Sequence, residues 1–91
     1  MKKELIFGIY HQVMNVVEDA YEETPALHED DEYNIFVGGI LDKIMNLSDN
    51  VSFMELSNCV FGIRNKYDIY SIGFSIFNSI LDIISEYSNE L

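Results

Sequence analysis

The side chains in this 91-residue chain with chemistry to offer are two histidines, one cysteine and sixteen acids. The run His28-Glu29-Asp30-Asp31-Glu32 presents hard oxygen and imidazole ligands of the kind that bind divalent cations. A calcium loop, however, needs alternating acids, a glycine at its sharp turn and a distal bidentate glutamate, and that pattern is missing. A di-iron bundle needs Glu-x-x-His on facing helices, and that spacing does not occur either. Cys59 stands alone, so it has no internal disulfide partner and fits a reducing cytosol; on the apolar face of a helix it reads as a buried, inert thiol. His11 lies mid-helix beside core positions and reads as a partly buried packing residue. There is no phosphate loop, no Gly-x-Ser-x-Gly and no His-Glu-x-x-His. The sequence therefore assigns no catalytic residue, no metal site and no cofactor, and points away from an enzyme.

What remains is charge. Glu18, Asp19, Glu22, Glu23, Glu29, Asp30, Asp31 and Glu32 place half of the sixteen acids within residues 18–32, and the nearest bases are Lys3 and Lys43. Like charges this close repel, so a folded chain must solvate them, bind cations with them or offer them to a basic partner. A second row, Asp82, Glu86 and Glu90, recurs at four-residue spacing with no base beside it. The net charge of −11 and a sequence pI near 4.2 argue against direct nucleic-acid binding and against an anionic membrane, since both need cations. The same charge favours fast, salt-sensitive association with basic proteins.

The elements that must position these acids are legible from periodicity. Apolar residues make up 48% of the chain, too many for a disordered acidic tail, so residues 1–91 read as one small folded domain. Residues 3–22 predict a long amphipathic helix through Ile6, Ile9, Tyr10, Val13, Val16, Val17, Ala20 and Tyr21, with Phe7 and Met14 widening the stripe. Its acids gather at the carboxyl end, where the helix dipole disfavours them by roughly 0.3–1 kcal/mol each. Thr24-Pro25 ends it, or Thr24 caps a new helix with Pro25 at its first position. A second helix is expected from Asp30 or Asp31 to about Leu47, facing inward through Tyr33, Phe36, Val37, Ile40, Leu41, Ile44 and Met45. Gly38-Gly39 in its middle predicts close approach of another helix, or a kink.

After a turn at Ser48-Asp49-Asn50, Ser52 and Glu55 form a capping box, with Val51 and Leu56 at the staple positions. A third helix follows through Phe53, Leu56, Cys59, Val60 and Ile63 to about Lys66. Asp68 is the expected cap of a fourth helix, running to about Tyr87 with Ile69, Ile72, Ile76, Phe77, Ile80, Ile83 and Ile84 inward. Residues 69–77 also alternate like a strand, which would make the domain α+β; the stripe continuing to Tyr87 favours helix. The expected fold is all-α, a bundle-like domain of about four helices. Glu4, His11 and Gln12 interrupt the apolar run near the start, which argues against a signal peptide, and no apolar run reaches the length of a transmembrane helix.

Glu18 and Glu22 stand one turn apart, about 6 Å of rise at 1.5 Å per residue. DNA presents a phosphate about every 3.4 Å along each strand, so a helix edge plus an acidic loop approaches the charge density of a phosphate backbone. At these residues the chain resembles a known family. Its opening MKKELIFGIYHQVMNVVEDAYEE and the continuation through HEDDEY are similar to the Arn anti-restriction proteins of T-even bacteriophages. That resemblance implies a DNA-mimicking inhibitor of a restriction nuclease of the McrBC type, acting in the host bacterial cytoplasm, with a nucleoid-associated protein as a further target. The acids named above would stand in for phosphates as a set, with Tyr33 or Tyr87 adding stacking contacts and a homodimer lengthening the charged surface. The alternatives are an acidic immunity protein that neutralises a basic toxin, and a helical adaptor that recognises its partner through an apolar groove.

Overall fold

The computed structural model describes residues 3–47 and 50–89. They form four α-helices, α1 (Lys3–Glu23), α2 (Asp31–Met45), α3 (Phe53–Arg64) and α4 (Ile72–Asn89), with a short 3-10 helix, Pro25–Glu29, between α1 and α2. The domain is all-α, as the periodicity predicts. The alternative strand over 69–77 is a turn running into α4. Among the described residues, no helix is long and apolar enough to cross a membrane.

Each helix has two chief neighbours: α1 packs on α2 and α4, and α3 packs on α4 and α2. Helices α1 and α4 run antiparallel. Gly8 in the first half of α1 lies against the hydroxyl of Tyr87 near the end of α4, which also accepts from Gln12 Nε2 at mid-helix, while Ala20 and Glu23 at the end of α1 lie beside Ile72 at the start of α4. The enclosed core follows helical spacing in every element: Ile9, Val13, Val17 and Ala20 from α1; Tyr33, Val37, Ile40 and Ile44 from α2; Leu56, Val60 and Ile63 from α3; Ile76, Phe77, Ile80 and Ile84 from α4. Leu27 and Leu47 close it from the connections.

Phe77 is the centre of the aromatic part of this core. Its ring centroid lies 5.5 Å from Tyr67, 5.7 Å from Tyr33 and 6.3 Å from Phe36, so one residue ties α4 to α2 and to the α3–α4 connection. Gly73, one turn before Phe77, makes room for this cluster. A Cβ there would collide with the ring of Tyr67. Gly38 and Gly39 play no such part. Both are exposed and a Cβ on either meets nothing within 4 Å, so the expected close approach of another helix at this pair is not found.

The helix starts depart from expectation in two places. Ser52 does cap α3, its hydroxyl accepting from Glu55 N at 3.1 Å. The Glu55 carboxylate, though, lies 3.9 Å from Lys43 Nζ, across the α2–α3 junction. The turn residues Ser48 and Asp49 lie outside the described residues. Asp68 does not cap α4. Its carboxylate accepts from Tyr70 N at 2.8 Å and closes a turn, and Ser71 takes over the cap, its hydroxyl accepting from Phe74 N at 3.1 Å. Starting α4 at Ile72 leaves Ile69 and Ile72 outside the core, 63% and 42% exposed, contrary to the inward positions expected for them. Phe7 and Met45 at the edges of their stripes are exposed as well. His11 also faces solvent, where a partly buried packing position was expected.

Tyr33 is 1% exposed, its hydroxyl is buried without a hydrogen-bond partner, and burial pushes its phenol up to about 12, with Tyr21, Tyr67 and Asp30 adding in the same direction. The stacking role expected of Tyr33 is therefore ruled out by its burial. Burial also raises the Tyr21 and Tyr67 phenols, the latter helped by Asp30 and Glu32.

Two expectations follow for stability. Gly73→Ala should cost about 1–3 kcal/mol by overpacking against Tyr67, while Gly38→Ala, in an open helix interior, should gain roughly 0.5–1 kcal/mol; urea unfolding of the two variants checks the opposite signs. Below pH about 10 the tyrosines are neutral in both folded and unfolded chains; between about 10 and 12 only the unfolded chain ionises Tyr33, so stability falls as pH rises through that window. Tyr33→Phe removes an unsatisfied buried hydroxyl and should raise stability at neutral pH by about 1 kcal/mol while retaining more of it at pH about 11. A variant that unfolds in alkali just as the parent does would contradict this.

Candidate functional site

The eight acids of residues 18–32 lie where α1 ends, the 3-10 helix turns and α2 begins, so they share one end of the bundle, and all eight are exposed. They do not sit there on equal terms. Glu18, Asp19, Glu22 and Glu23 occupy the last two turns of α1 with no basic residue in its final turn, against the dipole. Asp31 and Glu32 occupy the first turn of α2, where the dipole favours them, and Asp30 is its cap, with Oδ1 accepting from Tyr33 N at 3.0 Å. One of the acids expected to face a partner therefore has a structural duty as well.

Helical spacing splits the α1 acids into two rows, Glu18 with Glu22 and Asp19 with Glu23, each pair about 6 Å apart along the axis. Asp19 and Glu23 border a groove between α1 and α4, of about 260 Å³, together with Val16, Ala20, Ile72, Ser75, Ile76 and Ser79. Asp82 and Glu86 follow Ser75 and Ser79 on the same stripe of α4, at steps of four, three and four residues, and both are exposed. They lie along the α1–α4 seam away from the crowded end, with Glu86 about 10 Å of rise beyond Ser79. Glu90 lies outside the described residues.

No described Lys or Arg pairs with the acids at this end. Among the described residues the one ion pair is Lys43–Glu55. The other bases near the core spend their charge on ring faces: Arg64 stands 4.7 Å and 5.0 Å from the Phe61 and Phe74 centroids and donates to Asn78 Oδ1 at 2.8 Å, and Lys66 stands 4.9 Å from Phe36. Nor do the described residues bring three His, Cys, Asp or Glu side chains together around a point that could hold a metal ion. Cys59 is half-buried on α3, beside the core.

The acidic connection is nonetheless held firmly, by ring stacking and amide hydrogen bonds. The Tyr21 and His28 rings stack with centroids 4.1 Å apart and planes 8° from parallel. Tyr21 Oη donates to Asn34 Oδ1. Asn34 Nδ2 in turn donates to the carbonyls of Leu27 and His28, each at 3.1 Å. One asparagine on α2 thus ties α1, the 3-10 helix and α2 together. In the sequence Asn34 is marked only as a polar residue between Tyr33 and Phe36 of the α2 stripe, and its half-buried position shows only in the structure. Tyr87, the other residue expected to stack on a partner, is half-buried at the far end of the seam, with its hydroxyl on Gln12 and over Gly8.

Asn34→Ala should therefore loosen the acidic connection selectively. Hydrogen exchange of residues 25–30 should accelerate by about tenfold, the equivalent of roughly 1–1.5 kcal/mol of lost hydrogen bonding, while α4 amides stay protected. Unchanged exchange at those residues would show that Asn34 does not hold them. No protein-family model matches this chain, and neither a curated protein nor a solved structure matches it.

Proposed function

We propose that this protein is a non-enzymatic DNA mimic, an acidic inhibitor that competes with DNA for the basic groove of a DNA-binding protein. The observation that carries this reading is the set of eight exposed carboxylates at one end of the bundle with no cation paired to them among the described residues. Solvation alone tolerates such a cluster, but the four acids at the negative pole of α1 act against the stability of their own helix. That placement is better explained by a partner that supplies the missing positive charge. The pairs Glu18–Glu22 and Asp19–Glu23 repeat about every 6 Å on two adjacent rows, and the α2 acids extend the charge around the end of the bundle. A protein groove lined with Lys and Arg for phosphates about 3.4 Å apart on each strand meets comparable charge density there.

The resemblance to the Arn proteins narrows the target to a restriction nuclease of the McrBC type in the bacterial cytoplasm, with a nucleoid-associated protein as a second target. Glu18, Asp19, Glu22, Glu23, Glu29, Asp31 and Glu32 act as phosphate substitutes, Asp30 contributes its charge from the cap, and Asp82 and Glu86 continue the track along α4. A second reading, an immunity protein that neutralises a basic toxin by shape-specific contact, draws support from the exposed apolar residues Ile69, Tyr70 and Ile72, the last of which shares a groove with Asp19 and Glu23.

Reversal of Glu18, Glu22, Glu29 and Glu32 to Lys tests the proposal. Three of these lie where a cation suits the local structure as well as an acid does, so the helical circular-dichroism signal should persist. Protection of DNA from a McrBC-type nuclease should fall at least tenfold, and duplex DNA should displace the parent protein from its target. Full protection by the reversed variant, or a complex indifferent to excess DNA, would refute DNA mimicry.

A further inference from the structure

The groove between α1 and α4 differs in kind from the rest of the acidic end. Its floor and walls are apolar, from Val16, Ala20, Ile72 and Ile76, and its α1 lip carries Asp19 and Glu23. The opposite lip carries Ser75 and Ser79, the Ser79 hydroxyl donating to the Ser75 carbonyl at 3.0 Å. Ile72 is 42% exposed, and Ile69 and Tyr70 immediately before it are 63% and 91% exposed. Apolar surface is thus left uncovered next to carboxylates that no described cation neutralises. A phosphate backbone has no counterpart to that combination.

We infer that this groove binds an arginine side chain projected from the basic protein partner. The chemistry on each wall matches a different part of that side chain. Its methylene stem covers Ile72, which is 42% exposed and otherwise faces water. Its planar, weakly hydrated guanidinium presents several donors in one plane, which Asp19, Glu23 and the Ser75 hydroxyl can accept together. Lysine brings the same charge, but its compact, strongly hydrated ammonium loses more on leaving water and cannot form the bidentate contact. The inference rests on the acidic-partner reading above and adds a division of labour to it. The acids outside the groove set the rate and salt sensitivity of encounter, and the groove sets how long the complex lasts.

Titrating the intact, isotopically labelled protein with hexa-arginine and with hexa-lysine peptides at low salt tests this by nuclear magnetic resonance. The arginine peptide should bind about fivefold more tightly, a difference of about 1 kcal/mol, and shift the amides of Ala20, Ile72, Ile76 and Ser79. Ser79→Trp fills the groove at an exposed position without altering charge, and it should abolish the preference while leaving lysine-peptide affinity unchanged. Asp19→Asn with Glu23→Gln provides a second variant that should remove the preference by another route. Equal affinity for the two peptides, with shifts confined to Glu18, Glu22 and residues 29–32, would overturn the groove assignment and leave the acidic-surface reading standing. Failure of both peptides to bind at low salt would overturn both.

Discussion

Repulsion among carboxylates at one end of the bundle is the constraint to which the rest of the structure answers. Ion pairing could have relieved it, but the one described pair lies at the α2–α3 junction, and Arg64 and Lys66 are turned onto aromatic rings. The repulsion is opposed instead by burial beneath it. Tyr33, Phe77, Ala20 and Leu27 pack under the acidic connection, and the Phe77 cluster links it to α4 and to the α3–α4 turn. Each large side chain buried there contributes about 1.5–3 kcal/mol before its entropy is counted, more than an exposed like-charge contact in water removes. The charge can stay unneutralised because the core does not depend on it.

The connection also keeps its shape without enlisting most of its acids. Asn34 bonds two carbonyls of the 3-10 helix and accepts from Tyr21, and the Tyr21–His28 stack closes the same corner. Among the described residues, Asp30 alone of the clustered acids accepts a hydrogen bond through its side chain, at the α2 cap. Holding an acidic surface in shape by ring stacking and amide hydrogen bonds leaves most of its carboxylate oxygens open to a partner. It also lowers the ordering cost of binding, since the turn that presents them is already built. A floppy acidic tail could supply equal charge, but not a fixed spacing of it.

Two kinds of surface meet along the α1–α4 seam. One is a set of carboxylates in rows, suited to long-range attraction that salt weakens. The other is the short apolar exposure around Ile69, Tyr70 and Ile72, which salt affects little. DNA offers only the first to a protein that binds it through phosphates. Under the proposed function, a protein carrying both is drawn in like DNA and retained by contacts that DNA does not make.

The sequence by itself determined the helices and most of the core, because each stripe repeats at helical spacing over three turns or more. Ile9, Val13, Val17, Ile40, Ile44, Val60, Ile80 and Ile84 are buried as their spacing requires. It also determined the location of the acids, since residues 18–32 are contiguous and any fold must keep them together. Tertiary structure decided the rest. Whether α4 begins at Asp68 or at Ser71 depends on which oxygen wins the local hydrogen bonds, and that choice moved Ile69 and Ile72 from core to surface. Gly73 against Tyr67, the empty space beside Gly38 and Gly39, and the corner built on Asn34 involve residues distant in sequence or rings turned toward them. The groove bordered by Asp19, Glu23 and Ile72 joins α1 to α4 across some fifty residues of chain. Periodicity reports which side of a helix faces inward. It carries no information about which two helices will lie side by side, and the groove exists only because α1 and α4 do.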